Sequence, residues 1–152
     1  MTDPLVAEAR VWIGTPYRHQ ARTRGAGTDC LGLILGLWEA RFGALPEPVP
    51  AYTPDWSETG GQERLWAAAR RHLRPATTSA PGQVILFRMR RGAVAKHLGL
   101  QAETGRRPSF IHAYSGRGVV ESPLTPPWAA AIVARFAFPD TPPDPGAAPA
   151  QT

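Results

Sequence analysis

The sequence predicts an α+β fold, with helices in the first half of the chain and an antiparallel sheet of about five strands in the second half. Apolar residues recur at helical spacing up to Pro75 and at strand spacing after it. The intervals between the predicted strands are short and contain glycine or proline, which is typical of antiparallel connections. With 152 residues, the chain has the size of one domain with a single buried core.

The first helix is expected to begin at Asp3, a favourable N-cap, with Pro4 at the first helical position. Gly14-Thr15-Pro16 is expected to end it. Residues 17–28 are polar and contain glycine, so a loop is predicted there. The apolar residues of the helix recur at helical spacing: Leu5, Val6, Ala9, Trp12 and Ile13.

The second helix has no charged residue between Asp29 and Glu39, and this predicts a central, buried helix. Thr28 or Asp29 is expected to cap its start, and Gly43 to end it. Its apolar positions are spaced as on one helical face and extend around it: Leu31, Leu33, Ile34, Leu35, Leu37, Trp38 and Phe42.

A third helix is predicted over residues 62–73, after a proline-rich surface excursion over residues 44–61. The strands are predicted at residues 83–88, 96–102, 109–113, 118–122 and 132–138. Residues 1–138 then form the folded domain. Residues 139–152 contain five prolines and little apolar surface, which predicts an extended C-terminal tail.

Charge and composition exclude several classes of protein. The net charge is +5, and 16 of the 17 positive residues are arginines in short scattered groups, which is more typical of a solvated surface than of a polyanion site. No basic strand interleaved with aromatic residues and no docking helix is visible, so no nucleic-acid partner is expected. No apolar run approaches the ~18 residues of a membrane span, and none of the features of a signal peptide precedes the domain. Synthesis in the cytoplasm without membrane insertion is therefore expected.

The most informative residue is Cys30, the only cysteine, at the first turn of the apolar second helix. Unsatisfied backbone N–H groups and the positive end of the helix dipole favour a thiolate there, and the same N–H groups could bind an oxyanion. A small buried hydrophobic residue is the alternative interpretation.

A thiolate nucleophile needs a base and a group that orients the base. His97 and His112 lie on consecutive predicted strands, and pairing of those strands as a hairpin would place both imidazoles on one face. His72 is expected to face solvent, whereas His19, in the loop before the cysteine, is a candidate for substrate contact. A zinc site formed by the cysteine and the two strand histidines is the rival interpretation, but no pair has short chelating spacing, so neither a metal nor a cofactor is expected.

Five sequence blocks resemble the NlpC-type cysteine peptidases, papain-like cell-wall hydrolases, over about residues 5–138. They occur in the family order: Gly14-Thr15-Pro16-Tyr17, Asp29-Cys30-Leu31-Gly32, Gly82-Gln83-Val84-Ile85, His97-Leu98-Gly99-Leu100 and Phe110-Ile111-His112-Ala113. The Asp-Cys-Leu-Gly-Leu block and the Tyr52-Thr53-Pro54-Asp55-Trp56 segment resemble in particular the cell-wall peptidase of phage tail tips and gene transfer agents.

The resemblance implies a papain-like fold and a role for each matching residue. Cys30 matches the nucleophile, His97 the general base and His112 the polar residue that holds the base. Tyr17 matches a tyrosine that assists substrate or oxyanion binding, and Asp29 matches an acidic residue that holds the free amine of a stem peptide. The sequence departs from the family where Leu31 replaces a serine and where His19 and Gln20 replace glycines.

The resemblance also implies a reaction and a setting. A thiolate paired with imidazolium would hydrolyse a peptidoglycan stem peptide, such as the D-glutamyl to diaminopimelyl bond, with Arg22 or Arg24 at the cleft rim. The protein would join other tail-tip or hub proteins in a phage-like particle and act on the cell wall after delivery. A structural tail or baseplate subunit that keeps the fold without activity is the alternative.

Overall fold

The structure is a computed structural model, and it describes residues 2–49 and 63–141. The Tyr52–Trp56 segment, the rest of the predicted excursion from residue 50 and the predicted tail from residue 142 lie outside these ranges. The helices are α1 (Pro4–Val11), α2 (Cys30–Phe42), α3 (Arg64–His72) and α4 (Pro126–Ala130). The strands are β1 (Arg22–Thr23), β2 (Gly27–Thr28), β3 (Arg74–Ala76), β4 (Val84–Phe87), β5 (His97–Gln101), β6 (Ser109–Tyr114), β7 (Gly118–Pro123) and β8 (Ile132–Ala137).

The predicted α+β fold is confirmed, with an antiparallel sheet of six strands in the order β3-β8-β4-β5-β6-β7. The additional strand is β3, a three-residue edge strand that contains Pro75 and pairs only with β8 among the described strands. Residues 17–28 are not a plain loop, because β1 and β2 pair there as a small hairpin. The edge strand β3 and the β1–β2 hairpin are too short to show a periodic pattern of apolar residues in the sequence.

The N-terminal helices begin and end largely as predicted. Asp3 Oδ1 accepts the backbone N–H of Leu5 at 2.8 Å and caps α1. Gly43 ends α2 with φ at +86°, a left-handed conformation that glycine adopts without strain. The expectation that the first helix continues to Ile13 is wrong: α1 ends at Val11, and the following turn leaves Ile13 44% exposed.

The two faces of the sheet are both covered, but by different elements. Helix α2 packs on one face, where its leucines meet those of the central strands: Leu33, Leu37, Leu86, Leu98 and Leu100. The other face carries a smaller aromatic cluster of Phe87 and Phe110, against which Trp128 of α4 packs. Because side chains alternate along a strand, consecutive residues of β5 point to these two different environments.

Glycines allow close backbone approach around the start of α2. A Cβ atom on Gly32 would collide with the carbonyl oxygen of Ala21 and lie 2.7 Å from Thr28 Oγ1. The hairpin that precedes α2 can therefore fold directly over the first turn of the helix. This contact places residues 17–29 beside the N-terminus of α2.

The last turn of α3 is half-buried, in contrast to the expectation for His72. The His72 ring contacts Trp38 of α2, with ring centroids 6.1 Å apart, and its Nε2 lies 3.6 Å from a carboxylate oxygen of Glu47. Glu47 also accepts from Arg71 at 2.7 Å. The prediction that His72 faces solvent is therefore wrong, because α3 packs its C-terminal turn onto α2.

Candidate active site

Cys30 is the first residue of α2, directly after the N-cap Asp29. Both carboxylate oxygens of Asp29 accept hydrogen bonds from the backbone. Oδ1 accepts from the N–H of Gly32 at 2.7 Å, and Oδ2 accepts from the N–H of Gln20 at 2.8 Å. The Cys30 sulfur lies 3.8 Å from the carbonyl oxygen of Lys96, the residue that precedes His97. The sulfur is therefore placed against the start of β5.

The environment of the sulfur favours the neutral thiol. Burial, together with a smaller contribution from the carboxylate of Asp29, raises the pKa of Cys30 to about 11. The backbone N–H groups of Leu98, Leu31 and Cys30 oppose this rise without cancelling it. The expectation of a thiolate is thus wrong for the protein alone, because the N-terminus of the helix lowers the pKa of the thiol less than burial raises it.

His97 and His112 form a buried pair on one face of the sheet, as predicted. His97 Nε2 lies 2.7 Å from His112 Nδ1, and the rings are nearly perpendicular. On the far side of the pair, His112 Nε2 lies 2.9 Å from the hydroxyl oxygen of Ser122. A continuous chain of three side chains thus runs from β5 across β6 to β7.

Burial also keeps this pair uncharged at neutral pH. It lowers the pKa of His97 to about 3, with smaller contributions from the charges of His112 and Lys96. Burial alone lowers the pKa of His112 to about 4. The predicted thiolate and imidazolium are therefore replaced by a neutral thiol and two neutral imidazoles.

Trp128 of α4 covers the histidine pair and was not predicted from the sequence. Its ring centroid lies 5.8 Å from that of His97 and 5.2 Å from that of His112. Tyr114 and the phenylalanines of the same face complete an aromatic enclosure. The available signal was Thr125-Pro126-Pro127, since proline favours the first turn of a helix.

Tyr17 lies beside the first turn of α2 through a parallel bridge to Thr28. Burial, with smaller contributions from nearby Cys30 and Asp29, raises the pKa of Tyr17 to about 12. The tyrosine therefore keeps its proton at neutral pH and can donate a hydrogen bond. The structure thus brings together three of the predicted residues, Tyr17, Asp29 and Cys30.

The residues expected at the cleft rim, His19, Arg22 and Arg24, lie in different surroundings. The exposed His19 has Nδ1 at 3.9 Å from Asp29 Oδ2, so it adjoins the cysteine helix. Arg22 has its Nε 3.8 Å from a carboxylate oxygen of Glu39 and thus lies along the side of α2. Arg24 is exposed in the turn between β1 and β2. Gln20, at one of the positions where the family has glycine, adopts a positive φ of 66°.

Two structural features concern metal binding and membrane insertion within residues 2–49 and 63–141. Within these ranges, no three His, Cys, Asp or Glu side chains are grouped as they would be to hold a metal ion. None of the helices described there has the length and apolar character needed to cross a bilayer.

Comparison with known proteins identifies the fold. No family model and no curated protein sequence matches the chain. Among solved structures, an NLP/P60 family protein described as similar to lipoprotein, from Staphylococcus aureus, has a TM-score of 0.57 at 18% identity, with 91% of this chain covered. An NlpC/P60 family protein from Bacillus cereus has a TM-score of 0.61 at 20% identity over the same share of this chain.

A third solved structure is the NlpC/p60 domain of the peptidoglycan hydrolase SagA, with a TM-score of 0.56 at 19% identity. The match covers 88% of this chain and 96% of that domain. By contrast, the chain spans only 42% and 41% of the S. aureus and B. cereus proteins. The chain therefore has the papain-like NlpC/P60 fold.

Proposed function

We propose that the protein is a cysteine peptidase that hydrolyses a peptide bond in peptidoglycan stem peptides. Cys30 is the nucleophile, His97 the general base and His112 the residue that orients the base. One observation supports this assignment above all others: the thiol at the start of α2 contacts the backbone on both sides of His97, whose ring is held by His112 at 2.7 Å. Nucleophile, base and orienting group are the parts that thiol catalysis requires.

The reaction begins from neutral groups. Because His112 occupies Nε2 of His97, Nδ1 is the nitrogen that accepts the thiol proton as the sulfur attacks the carbonyl carbon. The carbonyl electron pair moves to oxygen, where N–H groups of the first turn of α2 and the Tyr17 hydroxyl stabilise the charge. The His97 imidazolium then protonates the leaving amine as the C–N bond breaks, which leaves a thioester on Cys30. Water, activated by His97, hydrolyses the thioester.

The substrate class is proposed from the fold and the polar residues around Cys30. Among the neighbours in fold, one domain belongs to a peptidoglycan hydrolase. The buried carboxylate of Asp29, close to the thiol, suits the free amine of a stem peptide, and Arg22 or Arg24 suits its carboxylates. Within the class, the D-glutamyl to diaminopimelyl bond is the proposed site of cleavage. Leu31, His19 and Gln20 stand at positions where the resemblance predicts a serine and two glycines.

We further propose that the peptidase belongs to a phage-like tail tip or a gene transfer agent particle and reaches the cell wall by particle delivery. The support is the resemblance of the Asp-Cys-Leu-Gly-Leu block and of residues 52–56. Other tail-tip or hub proteins are the proposed partners, with residues 139–152 as a contact. Deletion of residues 139–152 should reduce incorporation into particles; unchanged incorporation would remove this contact from the proposal.

Mass spectrometry of digested peptidoglycan tests the enzymatic proposal. The wild-type protein should release muropeptides with new amino termini, and the Cys30→Ala and His97→Ala variants should not. His72→Ala, a histidine change on α3 away from the pair, serves as the matched control and should digest like wild type. The neutral state of the thiol and imidazoles is the one observation that favours an inactive structural subunit. Absence of new amino termini with all four proteins would contradict the enzymatic proposal and favour that alternative.

A further inference from the structure

A neutral imidazole has one nitrogen that donates a hydrogen bond and one that accepts, so a chain of imidazoles has a direction. If Nδ1 of His97 accepts the thiol proton, its Nε2 carries hydrogen and donates to Nδ1 of His112 across 2.7 Å. His112 then carries its own hydrogen on Nε2. That hydrogen needs an acceptor, and the structure places the Ser122 hydroxyl oxygen there at 2.9 Å.

From this geometry we infer that Ser122 is a positioning residue, which selects the tautomer of His112 and, through His112, the tautomer of His97 that can act as a base. The inference rests on the proposed function, because the direction of the chain follows from the role of His97. Ser122 touches neither the thiol nor the scissile bond. Its hydroxyl is the third group of the hydrogen-bonded chain, after His97 and His112.

The register of the sheet explains why Ser122 reaches His112. In the β6–β7 pair, Phe110 is opposite Ser122 and His112 is opposite Val120, so all four residues point to the same face. Ser122 is therefore the diagonal neighbour of His112 on the next strand. It is half-buried and is the penultimate residue of β7, which ends at Pro123.

The Ser122 hydroxyl can accept from His112 Nε2 or donate to it, so its removal leaves that nitrogen without this partner in either tautomer. A buried N–H without an acceptor costs more than a buried lone pair without a donor, so removal of the hydroxyl favours the opposite direction of the chain. A His112 that carries hydrogen on Nδ1 would donate to Nε2 of His97, and the hydrogen of His97 would then lie on Nδ1. In that tautomer, His97 has no lone pair for the thiol proton. Because Trp128 covers both rings, the nitrogen of His112 that loses Ser122 is left in an apolar enclosure.

Nitrogen-15 NMR of the histidine-labelled full chain tests the inference without a substrate, since the two imidazole nitrogens report the tautomer directly. Wild type should show hydrogen on Nε2 of both His97 and His112, assigned by comparison with His97→Gln and His112→Gln variants. Ser122→Ala should shift His112 toward the Nδ1–H tautomer, and Ser122→Thr should retain the wild-type pattern. Unchanged tautomers in Ser122→Ala would overturn the inference.

Kinetics on a soluble muropeptide with a D-glutamyl to diaminopimelyl bond provides the second measurement. Ser122→Ala should lower kcat about tenfold with little change in KM, and Ser122→Thr should recover most of the loss. Ser109→Ala is the matched control: it removes a hydroxyl from the same strand pair, where Ser109 contacts Glu121 instead of a histidine, and kcat should stay at the wild-type value. Equal kcat values for wild type and Ser122→Ala would overturn the inference.

The two proposals fail in different ways. An inactive wild-type protein would contradict the proposed function, whereas the NMR comparison would still report whether Ser122 selects the tautomer. Should Ser122→Ala not fold, Ser122→Val and Ser122→Thr form a nearly isosteric pair that differs by the hydroxyl. The Val variant should show the altered tautomer and the Thr variant the native one; the same tautomer in both would contradict the inference.

Discussion

Alkylation of Cys30 by iodoacetamide is the reaction that most directly reports the charge of the thiol. With a pKa of about 11, roughly one Cys30 thiol in 10,000 is ionised at pH 7, against about 3% of an ordinary thiol of pKa ~8.5. The thiolate population is thus lower by about 300-fold. A more basic thiolate is also a better nucleophile, with a Brønsted slope of ~0.4–0.5, so each Cys30 thiolate reacts about tenfold faster than a reference thiolate. The predicted rate at pH 7 is therefore roughly 30-fold below that of a small reference thiol.

The contribution of Asp29 can be measured in the same reaction. Asp29→Asn keeps an oxygen to cap Gly32, loses the acceptor of the Gln20 N–H, and removes the charge that raises the pKa of Cys30. A fall of about one pKa unit gives about tenfold more thiolate and, after the loss of nucleophilicity, about a threefold faster reaction at pH 7. Asp3→Asn makes the same change at the N-cap of α1 and should leave the rate unchanged.

Intact-mass spectrometry of time points between about pH 6 and pH 10 supplies these rates. The wild-type rate should keep rising with pH across the whole range. A plateau reached near or below pH 8.5, or a rate at pH 7 faster than that of the reference thiol, would refute the account of a neutral thiol. Alkylation should also abolish peptidase activity, and activity that survives complete alkylation would refute the thiol mechanism.

Three further predictions concern the buried histidines and the packing of α2. Burial lowers the pKa of His97 to about 3 and that of His112 to about 4, so below about pH 7 the unfolded chain binds more protons than the folded chain. Each of the two histidines should lower the free energy of unfolding by roughly 2 kcal/mol between pH 7 and pH 5. His97→Gln should therefore remove about half of this pH dependence in urea titrations, and an unchanged slope would count against a buried, neutral His97. Trp128→Ala should uncover the pair and raise the pKa of His112 toward ~6.5 in an NMR titration; no movement would show that Trp128 is not the source of burial. Gly32→Ala should destabilise the fold by about 2 kcal/mol in urea unfolding, because its Cβ would meet the Ala21 carbonyl oxygen, and wild-type stability would contradict that contact.

The pH dependence of activity follows from the same groups. The sequence predicts a rate limited at low pH by thiolate formation and at high pH by loss of imidazolium. In the structure, the working form has a neutral thiol and a neutral His97, which persists between their pKa values of about 11 and about 3. The log of kcat/KM should thus be flat around neutrality and fall only in strong acid as His97 gains a proton. A maximum confined to about one pH unit on either side of neutrality would contradict this form.

Much of the fold was predictable from local patterns. The uninterrupted apolar surface of α2, its cap at Asp29 and its end at Gly43 are properties of neighbouring residues, and they are visible in the sequence. The two short elements β3 and α4 were not predictable, because each is stabilised by the sheet it joins and not by a period of its own. Trp128 was missed together with α4.

Within the candidate site, the shared face of the two histidines was predictable and the charge state was not. The alternation of β5 and β6 correctly places His97 and His112 on one face. The helix terminus at Cys30 favours a thiolate by only about 0.3–1 kcal/mol, which is less than one pKa unit. Burial can shift a pKa by several units, and it depends on the sheet, Tyr17 and the hairpin around the thiol, which the sequence does not show as neighbours.

The measurement closest to the central claim follows the new amine that cleavage creates. A soluble muropeptide is incubated with wild type or with Cys30→Ala, and the free amine on the diaminopimelyl residue is quantified by mass spectrometry. We predict that the amine accumulates with wild type and stays at background with Cys30→Ala. Equal accumulation with the two proteins would show that the sulfur of Cys30 does not carry the reaction.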